Sequence, residues 1–213
     1  MISMIINYNG IESFKLQAGN FVLAFNPISK ESKHKQVRFG SDVTCISTNH
    51  PDFNGIDQTD SKNKEVIVID GPGEYEIAGV FIKGFASETM YGGGKLINTI
   101  YTILMDNMNI GFLGALESNG IEGEVGENLD SVDILFVPIG GEGTLNPEEA
   151  YKIAVKFSAK VIIPMCYGEV GEKDALKRFL KVSGNEDLKS VDKLTIKKTE
   201  VDEKDGEVVV LKY

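Results

Sequence analysis

Cys45-Ile46-Ser47-Thr48-Asn49-His50-Pro51-Asp52-Phe53-Asn54-Gly55 is the stretch on which the reading of this fold turns. Residues 43–47 are short and mostly apolar, as a buried strand is. They run directly into a polar turn that carries His50 and Asp52. Residues two apart in an extended segment project the same way, so both side chains could face one metal ion or substrate. Strand ends are also where α/β proteins build their sites. The simpler reading is an Asx turn: Asp52 follows Pro51 and accepts backbone N–H bonds, with His50 as a polar cap. On these residues alone the turn is the stronger reading.

On the N-terminal side the chain reads as strands. Residues 4–8 and 13–17 form two segments on either side of Gly10, and residues 21–25 follow the Gly19-Asn20 turn signal and stop at Pro27. Residues 29–38 carry Lys30, Lys33, Lys35 and Arg38 and read as a solvated loop or short helix. Past the deciding stretch, residues 66–69 read as a buried strand ending in Asp70-Gly71-Pro72-Gly73. Residues 75–77 and 80–82 make a hairpin around Ala78-Gly79. Residues 98–105 and 108–113 make another around Asp106-Asn107.

The second half changes character. Residues 132–137 form a strand stopped by Pro138. Asn146 caps a helix with Pro147 at its first position and Ala150, Ile153, Ala154 and Phe157 inward. Residues 160–163 form a strand that ends at Pro164. Residues 172–182 form a helix with Ala175, Leu176, Phe179 and Leu180 inward. Residues 194–197 and 207–211 read as a closing pair of strands around Asp205-Gly206. Strands and hairpins first, then strand–helix–strand, predict an α/β layered sandwich rather than a doubly wound sheet.

The 213 residues carry 22 Lys+Arg and 32 Asp+Glu, a net charge of −10. That acidity argues against a nucleic-acid partner. With 42% hydrophobic and 25% charged residues, the composition is ordinary for a globular chain. We expect one domain over residues 1–213, burying roughly 70% of its unfolded surface. No apolar run approaches a membrane span, so no membrane partner is expected. The first residues have no basic segment before an apolar one, which points to the cytoplasm. Cys45 and Cys166 allow at most one disulfide.

Several segments come in a telling order: His50-Pro51-Asp52 after its strand, Gly71-Pro72-Gly73-Glu74-Tyr75-Glu76, Asn98-Thr99-Ile100-Tyr101, and Gly111-Phe112-Leu113-Gly114. Residues 132–141 and 162–167 follow. Together they resemble the metallo-β-lactamase-fold superfamily, in its short metal-dependent-hydrolase-like branch. The resemblance spans nearly the whole chain. It implies a four-layer αβ/βα sandwich, two mixed sheets with helices outside, and a site at one edge between the sheets.

The same resemblance implies a metal signature that this chain lacks in most positions. A His-x-His-x-Asp-His run would fall on Thr48, His50, Asp52 and Phe53. A later His and a bridging Asp would fall on Phe112 and Ala115, and a final His on Cys166. Only His50 and Asp52 match, with Cys166 as a substitute thiolate. One ion would keep His50 alone and the other Asp52 and Cys166, whereas catalytic zinc takes three protein ligands and one water. Glu117, Glu74, Glu76 or Glu88 would have to swing in to rescue it. The expected candidate site is therefore Thr48, His50, Asp52, Phe53, Phe112, Ala115 and Cys166. No cofactor is expected, and zinc is the one the resemblance allows.

Other motifs are weaker. Gly92-Gly93-Gly94-Lys95 lacks the P-loop frame and reads as a flexible hairpin tip. Residues 140–144 read as a turn lining the same edge. Ser13, Ser47 and Ser87 lack a nucleophile elbow and have only His34 and His50 as bases. Cys166 with His50 is a conceivable nucleophile pair, though a small semi-buried residue is the simpler reading of Cys166. Three function classes follow. The favoured one is a metal-free binding or structural module whose partner is a small molecule or protein. The others are a hydrolase of an ester, amide or phosphoester with a rearranged zinc site of His50, Asp52 and Cys166, and a subunit acting through assembly.

Overall fold

Alternation builds the first sheet. Along β1 (Met4–Tyr8) every second residue is buried, the period of a strand with one face on a core. β2 (Phe14–Ala18) and β3 (Phe21–Phe25) follow through tight turns and pair antiparallel, Phe14 opposite Phe25. β4 (Val43–Cys45) and β5 (Ile67–Ile69) then add in parallel. β12 (Leu194–Ile196) closes the other edge against β1. The computed structural model describes residues 3–60, 65–117, 121, 123–130 and 132–213.

The second sheet starts with the long hairpin of β7 (Val80–Thr89) and β8 (Leu96–Met105), edged by β6 (Gly73–Ile77). β9 (Met108–Phe112) pairs antiparallel with β8 and parallel with β10 (Ile134–Pro138); β11 (Val161–Met165) and β13 (Glu207–Val208) continue in parallel. Every residue of β10 and β11 is buried, as expected of parallel strands covered on both faces. Both sheets are mixed.

The two sheets meet through aromatic rings. Phe25 stacks on Phe112 with centroids 4.1 Å apart, and Phe14 meets Phe136 edge-on at 4.7 Å. α2 (Pro147–Lys156) packs on β10 and on α3 (Ala175–Val182). Its start is a complete capping box: Asn146 Oδ1 accepts from Glu149 N–H, and Glu149 Oε2 accepts from Asn146 N–H. Two donors that the helix leaves open are thus satisfied.

The layered α/β sandwich with two mixed sheets is the architecture that the sequence predicts. Several details differ. β5 is an edge strand, and Ile67 is 45% exposed rather than buried. Pro164 lies inside β11, not at its end. Val209 N–H bonds to Ile162 O on the β13 side, so the missing donor of Pro164 faces that side, beyond the end of β13, where no ladder bond is lost. The expected closing pair of strands is not a pair: β12 joins the first sheet and β13 the second, with α4 (Lys198–Val201) between them. α3 starts later than predicted, at Ala175. α1 (Gly123–Leu129) was not foreseen. Among the described residues no α-helix precedes Gly123, and none is long and apolar enough to cross a membrane.

Candidate functional site

The deciding stretch leaves β4 and folds back under a polar lock. Asn26, just past β3, accepts the Ser47 N–H through Oδ1 at 2.8 Å and donates from Nδ2 to Ser47 Oγ and Glu12 Oε2. The chain then turns at His50, whose carbonyl accepts from Phe53 and Asn54 N–H. A cavity of about 560 Å³ opens here. It sits at the carboxyl ends of β4, β10 and β11, the place where α/β sheets hold ligands. The segment after β4 supplies His50 and Asp52, that after β10 supplies Gly141 and Glu142, and that after β11 supplies Cys166.

His50 and Asp52 do line one cavity, but each is already engaged. His50 Nδ1 accepts the backbone N–H of Asp52 at 3.2 Å. That lone pair is unavailable to a metal, and the 3.6 Å separation of Nδ1 from Asp52 Oδ2 is then no ion pair. The Asx-turn expectation is inverted: His50 accepts the turn N–H, while Asp52 accepts side-chain donors. Tyr91 Oη donates to Asp52 Oδ2 at 2.8 Å and Ser32 Oγ to Oδ1 at 2.5 Å.

Phe53, Ala115 and Cys166 meet beneath the cavity in one apolar cluster with Ile11, Ile28 and Tyr91. The Phe53 ring lies 4.6 Å from Tyr91 and 5.8 Å from His50, centroid to centroid. Cys166 is 1% exposed. Burial pushes its thiol well up, and the neighbouring Glu12 carboxyl adds to this. A protonated thiol is a poor nucleophile and a poor ligand. Two expected members sit elsewhere. Phe112 belongs to the main core, stacked on Phe25, not to the cavity cluster. It ends β9 pointing between the sheets, so its placement in the site is corrected. Thr48 is buried and donates to Asn98 Oδ1 at 3.2 Å. None of Glu74, Glu76, Glu88 and Glu117 lines the cavity; Glu74 and Glu88 pair with Lys83 and Lys95. Among the described residues no group of three His, Cys, Asp or Glu side chains is placed to hold a metal ion.

Four residues that shape the site lay outside the expected candidate set. Glu12 is fully buried, and burial pushes its carboxyl up to about 8. Ser32 and His34 come from the basic run read as solvated; the His34 side chain is only 8% exposed. Tyr91 comes from the expected flexible tip, which instead folds as a short 3₁₀ turn against His50, rings 5.0 Å apart. Gly92 makes that approach feasible: its φ is +76°, and a Cβ there would lie 2.8 Å from His50 Nε2. Gly92→Ala should therefore cost about 1–3 kcal/mol, from the left-handed backbone and the displaced ring. Urea denaturation of the variant checks this, and a change within about 0.5 kcal/mol, the usual surface scatter, would refute it.

Two mixed sheets face to face, with a cavity at the strand ends between them, define the αβ/βα sandwich of metallo-β-lactamases. The chain belongs to that superfamily, since the model of the β-lactamase superfamily domain matches residues 5–166. No curated protein matches the sequence. Among solved structures it is similar to a Thermotoga maritima protein regarded as a Zn-dependent hydrolase of this superfamily. Identity is 27%, with 98% of each chain covered and a TM-score of 0.76. A Parabacteroides distasonis protein regarded as a metal-dependent hydrolase shares the fold at 17% identity, covering 99% of this chain and 94% of that one, TM-score 0.67. A metallo-hydrolase of the archaeon Ignicoccus hospitalis does so at 18%, covering 92% and 99%, TM-score 0.65.

Proposed function

We propose that this superfamily member is a metal-independent binding module that uses the 560 Å³ cavity as its ligand site. One observation carries the reading: the signature positions that surround the cavity are filled or engaged by the protein itself. Phe53 and Ala115 offer no donor. His50 Nδ1 is hydrogen-bonded within the chain and burial keeps the Cys166 thiol protonated, so Asp52, whose oxygens accept from Tyr91 and Ser32 and keep further lone pairs, is left as a single donor. Zinc needs three protein donors with open lone pairs, so the residues present do not fit the ion and no reaction step is routed through one. Phe53 is fully buried, and its ring fills space that an ion and its water would need.

A second reading, a hydrolase with a rearranged zinc site of His50, Asp52 and Cys166, is favoured by the likeness to the Thermotoga maritima protein. Zinc content separates the two. After dialysis against a weak chelator the chain should hold under about 0.1 zinc, and added zinc should leave Tm unchanged, because only a ligand bound to the native state raises it. About one zinc per chain in the parent and none in Cys166→Ala would overturn the proposal, since a retained ion requires a set of protein donors.

A further inference from the structure

The geometry points to a small organic ammonium ion as the ligand of this cavity, held between His34 Nε2 and Asp52 Oδ2; the inference rests on the metal-free reading above. Its origin is a histidine on the wrong side of a surface loop. Lys30, Lys33 and Lys35 are exposed, yet the His34 side chain is 92% covered. The ring is turned inward by Glu169, whose Oε2 lies 3.2 Å from Nδ1. A carboxylate accepts and does not donate, so Nδ1 carries the proton of this bond, and the tautomer this sets presents a lone pair at Nε2.

That Nε2 is buried and has no hydrogen-bond partner among the described residues, an arrangement that folded proteins rarely leave. It faces the cavity wall at Asp52, with Oδ2 3.9 Å away. This is too far for a hydrogen bond, and both groups accept. What the gap lacks is a donor with at least two hydrogens. An N–H₃⁺ group about 2.9 Å from each acceptor spans it.

Charge selects the cation over a neutral donor. Among the described residues, Glu31, Asp52, Glu142 and Glu169 line the cavity against Lys33. An acidic concave wall concentrates cations. The Tyr91 hydroxyl on the same wall is already given to Asp52. A metal cation fits less well, because among the described residues no three donors converge on one. An ammonium needs only two.

The test is calorimetric titration of the full chain at low salt with 1,4-diaminobutane, and with 1,4-butanediol as the neutral match. The diamine should bind at one saturable site and the diol should not. His34→Ala should weaken the diamine at least about tenfold, the usual scale for a hydrogen bond to a charged group. His34→Gln, which keeps an acceptor at similar reach, should stay within about threefold of the parent. Circular dichroism on both variants checks that each is folded. A zinc-free parent that ignores millimolar diamine, or an undiminished response in folded His34→Ala, would overturn the ammonium assignment alone. Stoichiometric zinc in the parent would instead overturn the metal-free reading beneath it.

Discussion

Phe112→Ala should lower stability by about 3–5 kcal/mol, the range for deleting a buried aromatic ring. Phe112 is fully buried and stacks on Phe25 at an interplanar angle of 2°, with Phe136 at 5.9 Å. Phe25 belongs to the first sheet, and Phe112 and Phe136 to the second. The ring is thus a contact between the two layers. Its removal leaves a void that β9 and β10, paired in register at Phe112 and Phe136, cannot collapse to fill. Phe112→Leu, which keeps most of the volume, should cost only about 1–2 kcal/mol. Urea denaturation with unchanged m-values measures both. A loss under about 1 kcal/mol for alanine would mean that the ring is not packed as described and would revive its placement at a vestigial ligand position. The void opens into the core rather than the cavity, so neither variant should alter zinc content.

How far the sequence carried depended on how local the signal was. Capping at Asn146 and the all-apolar runs of β10 and β11 are written in neighbouring residues. So are the hairpins around Ala78-Gly79 and Asp106-Asn107, both formed as predicted. The partners of β12 and β13 are not: three and two residues hold too little pattern to specify which sheet they join. The site was half legible. The resemblance brought His50, Asp52 and Cys166 to one place, but alignment to a signature put Phe112 there too. The inward turn of β9 was invisible without its cross-sheet partner Phe25. Tyr91 was hidden by the glycines after it and His34 by the lysines around it, because each is buried through a tertiary contact, Asp52 for one and Glu169 for the other. Glu12 did leave a signal: a lone carboxylate between Ile11 and Phe14, where a chain that exposes its charges would not place one.

The end of the second sheet opposite the cavity depends on one carboxylate, and Asp133→Asn should cost about 2–3 kcal/mol at pH 7. Asp133 is 2% exposed. It accepts from Lys160 Nζ at 2.9 Å, from Lys198 Nζ at 2.8 Å and from the Asn109 N–H at 2.8 Å. It therefore ties the starts of β9, β10, β11 and α4 together. Asparagine can still accept from Asn109, but its amide would face two ammonium groups that, among the described residues, keep the half-exposed Asp202 as their remaining carboxylate. Burial alone would raise the Asp133 carboxyl. The hydrogen bonds from Lys198, Lys160 and Asn109 outweigh it and hold the group below the ordinary carboxylate range. The direction fixes the pH window. The unfolded chain takes up the proton first, so the stabilisation is complete above about pH 5 and is lost as pH falls through the depressed native value. The gap between parent and Asp133→Asn should be constant from pH 7 to 5 and shrink below about pH 4. Urea midpoints across that range measure it. A gap that stays undiminished in acid, or one under about 0.5 kcal/mol at pH 7, would show that charge at Asp133 does not hold this end of the sheet.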